Sequence, residues 1–406
     1  MKEGEDMNLY NPYTPGAGFP PSFLAGRDDT IENAEQTLLY VQNGIVQRSK
    51  IYYGLRGVGK TVLLNKIEEM ADDNLVMYEH LEVSEDGSFK SMMATSVQKL
   101  LTQMSVKAEI KQFAHKAISV LKAFQIKYSQ GNMEYSFNMG DIIPAYGTAD
   151  TGQFENDLKE ILISMGVVAK KTDNLVCFFI DEVQYLKQEE LTALMTALHR
   201  INQKQLPILI FAAGLPKIAK LAGDSKSYAE RLFEFVSVDS LKYEDAKQAL
   251  VEPALDQNVQ YTQEAIDYII EATGGYPYFL QEYGKQAWDK MTDRCIDLNC
   301  VKEARRDFIY SLDKSFFKVR YDRATKREKD FMFGMVKCGD LPCTIAEVAN
   351  QMGTTPKSIG PLRSQLIHKG FIYATSYGEI DFTVPQFDKY LLRINPDLII
   401  DKDRTM

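Results

Sequence analysis

A chain of 406 residues, 45% hydrophobic and 25% charged, exceeds one typical core and predicts two or three domains with ample apolar material to bury. Its formal net charge of -9 excludes a uniformly basic face, so any nucleic-acid surface has to be a local patch. No apolar window reaches the length of about 18 residues that a membrane-spanning helix needs, and the polar start Met1-Lys2-Glu3-Gly4-Glu5-Asp6-Met7 does not read as a signal peptide, so a soluble, cytoplasmic protein is expected.

Taken in order, Asn11 to Pro21 is too rich in proline and glycine for regular structure and predicts an extended arm. After Phe23-Leu24-Ala25-Gly26-Arg27-Asp28 a helix starts near Asp29, with Ile31, Ala34, Leu38 and Leu39 at its apolar positions. Lys50-Ile51-Tyr52-Tyr53 reads as a buried strand and Thr61-Val62-Leu63-Leu64-Asn65-Lys66-Ile67 as a helix. Between them, Gly54-Leu55-Arg56-Gly57-Val58-Gly59-Lys60-Thr61 fills every fixed position of the pattern G-x-x-x-x-G-K-[ST]. The residue types suit a phosphate chain. Glycines let consecutive backbone N–H groups turn inward, Lys60 brings a point charge to the β- and γ-phosphates, and Thr61 offers a hydroxyl ligand to Mg²⁺. The helix N-terminus beyond adds its dipole, and the whole points to a bound nucleoside triphosphate.

A second strand, 75–81, is followed by helices around 89–104 and 108–122. Over 124–138 the pattern changes: Phe124, Ile126 and Tyr128 alternate with polar residues, as do Met133, Tyr135 and Phe137, with Gln130-Gly131-Asn132 between, which predicts a β-hairpin inserted into the core. A helix near 153–170 leads to Leu175-Val176-Cys177-Phe178-Phe179-Ile180, an uninterrupted apolar run of the kind a central parallel strand carries, ending in Asp181-Glu182. That is a Walker B pattern: Asp181 would hold Mg²⁺ through its water shell and Glu182 would polarise the attacking water. A helix over 189–202 and a strand over 207–213 continue an alternation that predicts an α/β core with a mostly parallel sheet.

Beyond about residue 239 the strands stop, and 241–312 reads as helices, one with Ala265, Tyr268, Ile269 and Ala272 on a stripe and another starting at Pro277. Thr344 to Gly353 reads as a capped amphipathic helix; a short turn leads to a second helix turning Ile359, Leu362, Leu366 and Ile367 inward, with Pro361 expected to delay or kink it. Segments 371–374 and 379–384 then form a hairpin. Helix-turn-helix followed by a hairpin is a winged helix. The five cysteines, odd in number and without a nearby histidine, read as free thiols and not as zinc ligands.

With these motifs in this order, nearly the entire chain resembles the AAA+ ATPases of the origin-recognition type and their bacterial relatives, which border on the signalling ATPases called STAND. The resemblance implies a P-loop NTPase core over 1–238, a helical lid over 239–312 and a winged-helix domain over 313–406. It implies ATP and Mg²⁺ as ligands, with ADP after turnover; the phosphate loop from Gly54 to Val62 holds the nucleotide, including Arg56 and Val58. Gly26 and Arg27 are similar to the family's segment beside the adenine, and Tyr276-Pro277 to the lid motif that closes over the base. Arg231 stands where such ATPases place an arginine that reaches a neighbour's γ-phosphate, which implies self-association. Two departures matter: Ala213-Gly214-Leu215-Pro216 lacks the polar γ-phosphate sensor, and the lid motif lacks a second-sensor arginine, so slow turnover is compatible with the pattern.

Three functions stay open on the sequence. An ATPase of replication or mobile-element type would bind double-stranded DNA through 344–384, a STAND-like switch would use its winged helix on protein, and an ATP-bound structural module would not turn over. From Arg320 to Lys369 nine basic residues face five acidic ones, an excess that permits DNA contact, whereas the wing Ser376-Tyr377-Gly378-Glu379 has no base and carries an acid.

Overall fold

The computed structural model describes residues 10–104, 111–128, 142–226, 229–376, 378–396 and 398. The chain divides into two compact units, one joining Arg27–Gly54 to Lys60–Val238 and the other gathering Met1–Gly26, Leu55–Gly59 and Asp239–Met406.

The first unit is built on a five-stranded parallel sheet in the order β2-β3-β4-β1-β5, with β1 at Ser49–Tyr53, β2 at Met77–Glu82, β3 at Val176–Asp181, β4 at Ile208–Gly214 and β5 at Phe233–Ser237. Its register sets Ile51 against Ala212 and Ile180 against Ala212. β3 and β4 are buried along their whole length, as strands covered on both faces must be. Alternation sorts their side chains: Phe178, Ile180, Ile210 and Ala212 join the core made with α3 (Phe89–Met104), α4 (Lys111–Tyr128), α5 (Phe154–Lys171) and α6 (Gln188–Gln203). Cys177, Phe179, Leu209 and Phe211 turn the other way, where the rings of Phe179 and Phe211 stack 5.5 Å apart and α2 (Lys60–Asp73), backed by α1 (Asp28–Gln42), covers the sheet.

The expected hairpin is corrected here. Residues 124–128 are the last turn of α4, and 129–138 lie outside the described residues. Ala117, Val120, Leu121 and Phe124 recur at helical spacing and are all buried. Phe124 and Tyr128, four apart, meet at 4.7 Å between centroids and close on Phe154 of α5, so a helical face, not a pleat, satisfies these aromatics. In this unit α7 (Lys217–Ser225), the four-residue helix α8 (Ala229–Leu232) and the edge strand β5 that it enters went unread in the sequence.

In the second unit the N-terminal arm is irregular, as expected, but it is fastened. Tyr13 is 2% exposed, its ring lies edge-on to Trp288 at 6.2 Å, its hydroxyl donates to the Leu250 carbonyl, and a Cβ on Gly284 would stand 2.7 Å from it. Helices α9 (Tyr243–Leu255), α10 (Gln263–Thr273), α11 (Pro277–Trp288) and α12 (Leu298–Ser311) follow, with a two-residue parallel pair, β6 (Gln260–Tyr261) and β7 (Cys295–Ile296), where strands were not expected. A π-helical turn, Leu312–Phe317, runs into α13 (Lys318–Asp322) and α14 (Lys326–Lys337).

The end of this unit comprises β8 (Cys343–Thr344), α15 (Ile345–Gln351), α16 (Pro356–His368), β9 (Ile372–Ala374), β10 (Glu379–Phe382) and α17 (Phe387–Ile394). The strands form an antiparallel sheet β8-β10-β9, one strand more than the sequence indicated. Thr344 caps α15 as expected: its hydroxyl accepts from the Glu347 N–H, and the Glu347 carboxylate accepts from the Thr344 N–H at 2.7 Å. α16 starts at Pro356 and continues through Pro361, with Ile359, Leu362 and Leu366 buried. No helix among the described residues is long and apolar enough to cross a membrane.

Candidate nucleotide site

β1 delivers the phosphate-binding motif at its C-terminal end, the end at which open parallel sheets take their ligands. The exit is fixed on two sides: Gly54 donates its N–H to the Gly214 carbonyl of β4 at 3.1 Å, and Val238, just past β5, donates to the Tyr53 carbonyl at 2.8 Å. Within the loop Gly57 and Gly59 take φ of +83° and +92°, which a side chain would strain. α2 begins at Lys60, so the loop leads directly into a helix N-terminus.

Beside it, at the end of β3, the Thr61 hydroxyl donates to Asp181 Oδ2 at 2.6 Å, although the two residues stand 120 apart in the chain. The other carboxylate oxygen of Asp181 accepts from the Glu182 N–H at 2.7 Å, and the residue is only 6% exposed. Glu182 sits at φ +53°, a left-handed turn that bends its side chain away from the strand direction.

Gln184 was not read as functional, yet it braces this end of the sheet. Its amide N–H donates to the Glu182 carboxylate, and its carbonyl oxygen accepts from the Leu215 N–H at 2.9 Å. Gly214 makes this contact possible, since a Cβ there would lie 2.9 Å from the Gln184 oxygen. The end of β4, which lacks a polar side chain of its own, thus receives one from the turn after β3. On β2, His80 Nδ1 lies 2.7 Å from Glu68 of α2; this hydrogen bond raises the imidazole pKa, and the charges of Glu68, Asp181 and Glu82 act in the same direction.

Arg231 is exposed on α8, and Arg27 occupies the residue before α1 without a capping hydrogen bond from its side chain. Gly26, in the other unit, has φ +64° and packs so closely on Asp245 that a Cβ would stand 2.7 Å from it. There, the loop residues Leu55–Gly59 meet the start of α11. Tyr278 donates its N–H to the Gly57 carbonyl at 3.2 Å, and the buried Tyr276 ring would stand 3.1 Å from a Gly57 Cβ. Gly275, at φ +67° and with its Cβ position 2.3 Å from the Leu241 carbonyl oxygen, lets the chain make this turn; Pro277 opens α11.

The arrangement fits a Mg²⁺ nucleotide by three observations. In the first unit Thr61 and Asp181 are hard oxygen donors at hydrogen-bond distance; in the second, taken by itself, a Cβ at Gly57 would crowd the Tyr276 ring at 3.1 Å, and the Tyr276 hydroxyl is sealed without a partner. Comparison with known families agrees. Residues 24–211 match the AAA ATPase domain. Residues 314–391 match a family described only as a domain of unknown function. No curated protein matches the chain. Among solved structures, a Walker-type ATPase of Pyrococcus abyssi is similar, with a TM-score of 0.55 at 13% identity over 93% of this chain and 99% of that one. Weaker likenesses, each with a TM-score of 0.45, are the RuvB Holliday junction branch migration motor of Thermotoga maritima (14% identity, 90% of this chain and 95% of that one) and Orc1 of Aeropyrum pernix in complex with DNA (13%, 93% and 94%). The first is a likeness of fold; the other two are too distant to bear on function.

Proposed function

We propose that the chain binds and hydrolyses ATP as an AAA+-type protein whose nucleotide state controls a C-terminal DNA-binding module. The observation that carries this reading is the Thr61–Asp181 pair at 2.6 Å beside a complete phosphate loop, because a hydroxyl and a carboxylate so placed are the donors Mg²⁺ takes. Bound Mg²⁺ would neutralise phosphate charge during transfer. In this reading Lys60 holds the β- and γ-phosphates, Glu182 accepts a proton from the attacking water, and Gly26, Arg27, Tyr276 and Pro277 surround the base. Arg231 serves a neighbouring copy upon self-association.

The helices 239–312 act as a lid, and 313–406 as a winged helix. The element order α14-β8-α15-α16-β9-β10 supports the latter. Lys357 and Ser358 are exposed on α16 while Ile359 and Leu362 are buried, which supports a DNA-facing surface within 344–384. One observation favours a second reading, the STAND-like switch acting on protein: the wing carries Glu379, held by the Ser376 hydroxyl at 2.7 Å, where DNA contact calls for a base.

The test is nucleotide binding and turnover with and without duplex DNA, in parent and Lys60→Ala. Binding lost in Lys60→Ala and turnover stimulated by DNA are expected. Turnover indifferent to DNA moves the assignment to the protein-binding switch, and equal affinity in parent and variant sinks the phosphate-loop reading.

A further inference from the structure

We propose that Cys338 and Cys343 form a redox-active dithiol, a covalent modification site beside the C-terminal sheet whose co-reactant is a small hydroperoxide. The site is independent of the nucleotide reading.

Cys338 directly follows α14, and Cys343 is the first residue of β8. Only Gly339-Asp340-Leu341-Pro342 lies between them, and this turn brings the two thiols together. They form a short chain of hydrogen bonds: the Cys343 S–H donates to the Cys338 sulfur, and the Cys338 S–H to the Gly334 carbonyl oxygen at 3.3 Å. Both ends of the turn are anchored. The Cys338 N–H donates to the Met335 carbonyl at 3.1 Å, while Cys343 is 2% exposed and stands in register with Ile380 of β10. Neither sulfur is in a disulfide.

The two thiols are unequal, as an attacking and a resolving sulfur must be. Cys338 is partly exposed, and the hydrogen bond from Cys343 lowers its pKa against the opposing effects of burial and the Glu347 charge. The same bond, burial and the charges of Cys338, Glu347 and Asp381 push the Cys343 thiol up. The more accessible thiol is therefore the first to ionise, with a protonated thiol poised beside it, the arrangement of redox-sensing cysteines. Cys177 and Cys300, by contrast, are buried, and burial raises both.

The Cys338 thiolate attacks one peroxide oxygen; the O–O bond breaks, hydroxide leaves, and Cys338 becomes a sulfenic acid. Cys343 then gives up its proton and its sulfur attacks that of Cys338, so the S–S bond forms as the S–O bond breaks and water departs. Two thiols and one peroxide give one disulfide and two waters, with two electrons passing from sulfur to oxygen. The link ties the end of α14 to β8, the edge strand of its sheet.

The experiment oxidises the folded, full-length chain with about one equivalent of hydrogen peroxide, alkylates the remaining thiols with iodoacetamide in denaturant, and maps the unreduced tryptic digest by mass spectrometry. Both cysteines fall in one tryptic peptide, 338–357. That peptide is expected unalkylated and about 2 Da lighter than its dithiol form, and restored by dithiothreitol, with Cys177, Cys295 and Cys300 alkylated as in the untreated chain. In Cys343→Ser, Cys338 is expected to stop at the sulfenic acid and be captured by dimedone; no capture there overturns its role as the attacking sulfur. A doubly alkylated 338–357 peptide after peroxide overturns the proposal. So does a link that forms equally fast in the urea-unfolded chain, because the folded contact then contributes nothing. The parent's peptide decides the matter if Cys343→Ser does not fold.

Discussion

Replacing Gln184 by alanine removes two hydrogen bonds at the end of the sheet that carries Asp181, and the neighbourhood cannot compensate. Gln184 is 4% exposed, and the Leu215 N–H that it caps belongs to a residue 3% exposed. A buried donor left without an acceptor costs about 1–3 kcal/mol, and losing a bond to the charged Glu182 adds about 1 kcal/mol. The sum is about 2–4 kcal/mol, or about 5–10 °C in melting temperature for a unit of this size. The assay is thermal unfolding followed by circular dichroism without nucleotide. Gln184→Glu separates the two bonds, since it keeps an acceptor for Leu215 but sets a second carboxylate against Glu182. Like charges so close raise a carboxyl pKa above its unfolded value, so this variant's deficit should be largest near neutral pH and shrink as the pH falls toward about 5. A melting point for Gln184→Ala within about 1 °C of the parent would falsify the idea that this side chain braces the site.

Glu182→Gln should retain nucleotide affinity and lose turnover, because Asp181 is untouched while the proton acceptor is gone; equal ATPase rates in the two proteins would remove Glu182 from the chemistry. His80 has its pKa raised, chiefly by the Glu68 hydrogen bond, so the stability it contributes is complete below the unfolded histidine pKa of about 6.5 and is lost as pH rises through the elevated folded value; Glu68→Gln should flatten the melting profile across that window, and an unchanged profile would contradict it. Lys357→Ala combined with Arg363→Ala should weaken duplex DNA binding and reduce its salt slope by up to about 2, with ATP affinity unchanged; a slope equal to the parent's would take α16 out of the DNA surface.

What the sequence made legible, and what it hid, follows from where the determining contact lies. The phosphate loop and the Asp181-Glu182 strand end were readable because the chemistry fixes neighbouring residues at fixed spacing, and the strands β3 and β4 because a doubly covered strand is apolar throughout. The alternation over 124–128 was ambiguous, since Phe124 and Tyr128 fit a pleat and a helical i,i+4 pair equally; Phe154, distant in sequence, decides for the helix. β5 is short and at the sheet edge, and part of its anchorage is Lys50, buried in β1 and paired with Glu234 at 2.6 Å, an ion pair no local pattern announces.

The same distinction separates the parts of the site. Lys60 and Thr61 are defined by their spacing within one loop, whereas Gln184 and Tyr276 acquire their surroundings only when the fold brings them to a backbone that carries no side chain: Gly214 for Gln184, Gly57 for Tyr276. Glycine is therefore the common signal. A residue with no side chain at the end of a strand or in a phosphate loop leaves space that a distant polar group fills, and the sequence shows the space but not its occupant. That is why the absence of a polar residue at Ala213-Gly214-Leu215-Pro216, read from the sequence as a missing function, is met in the structure by Gln184 reaching across from the neighbouring strand end to the Leu215 N–H.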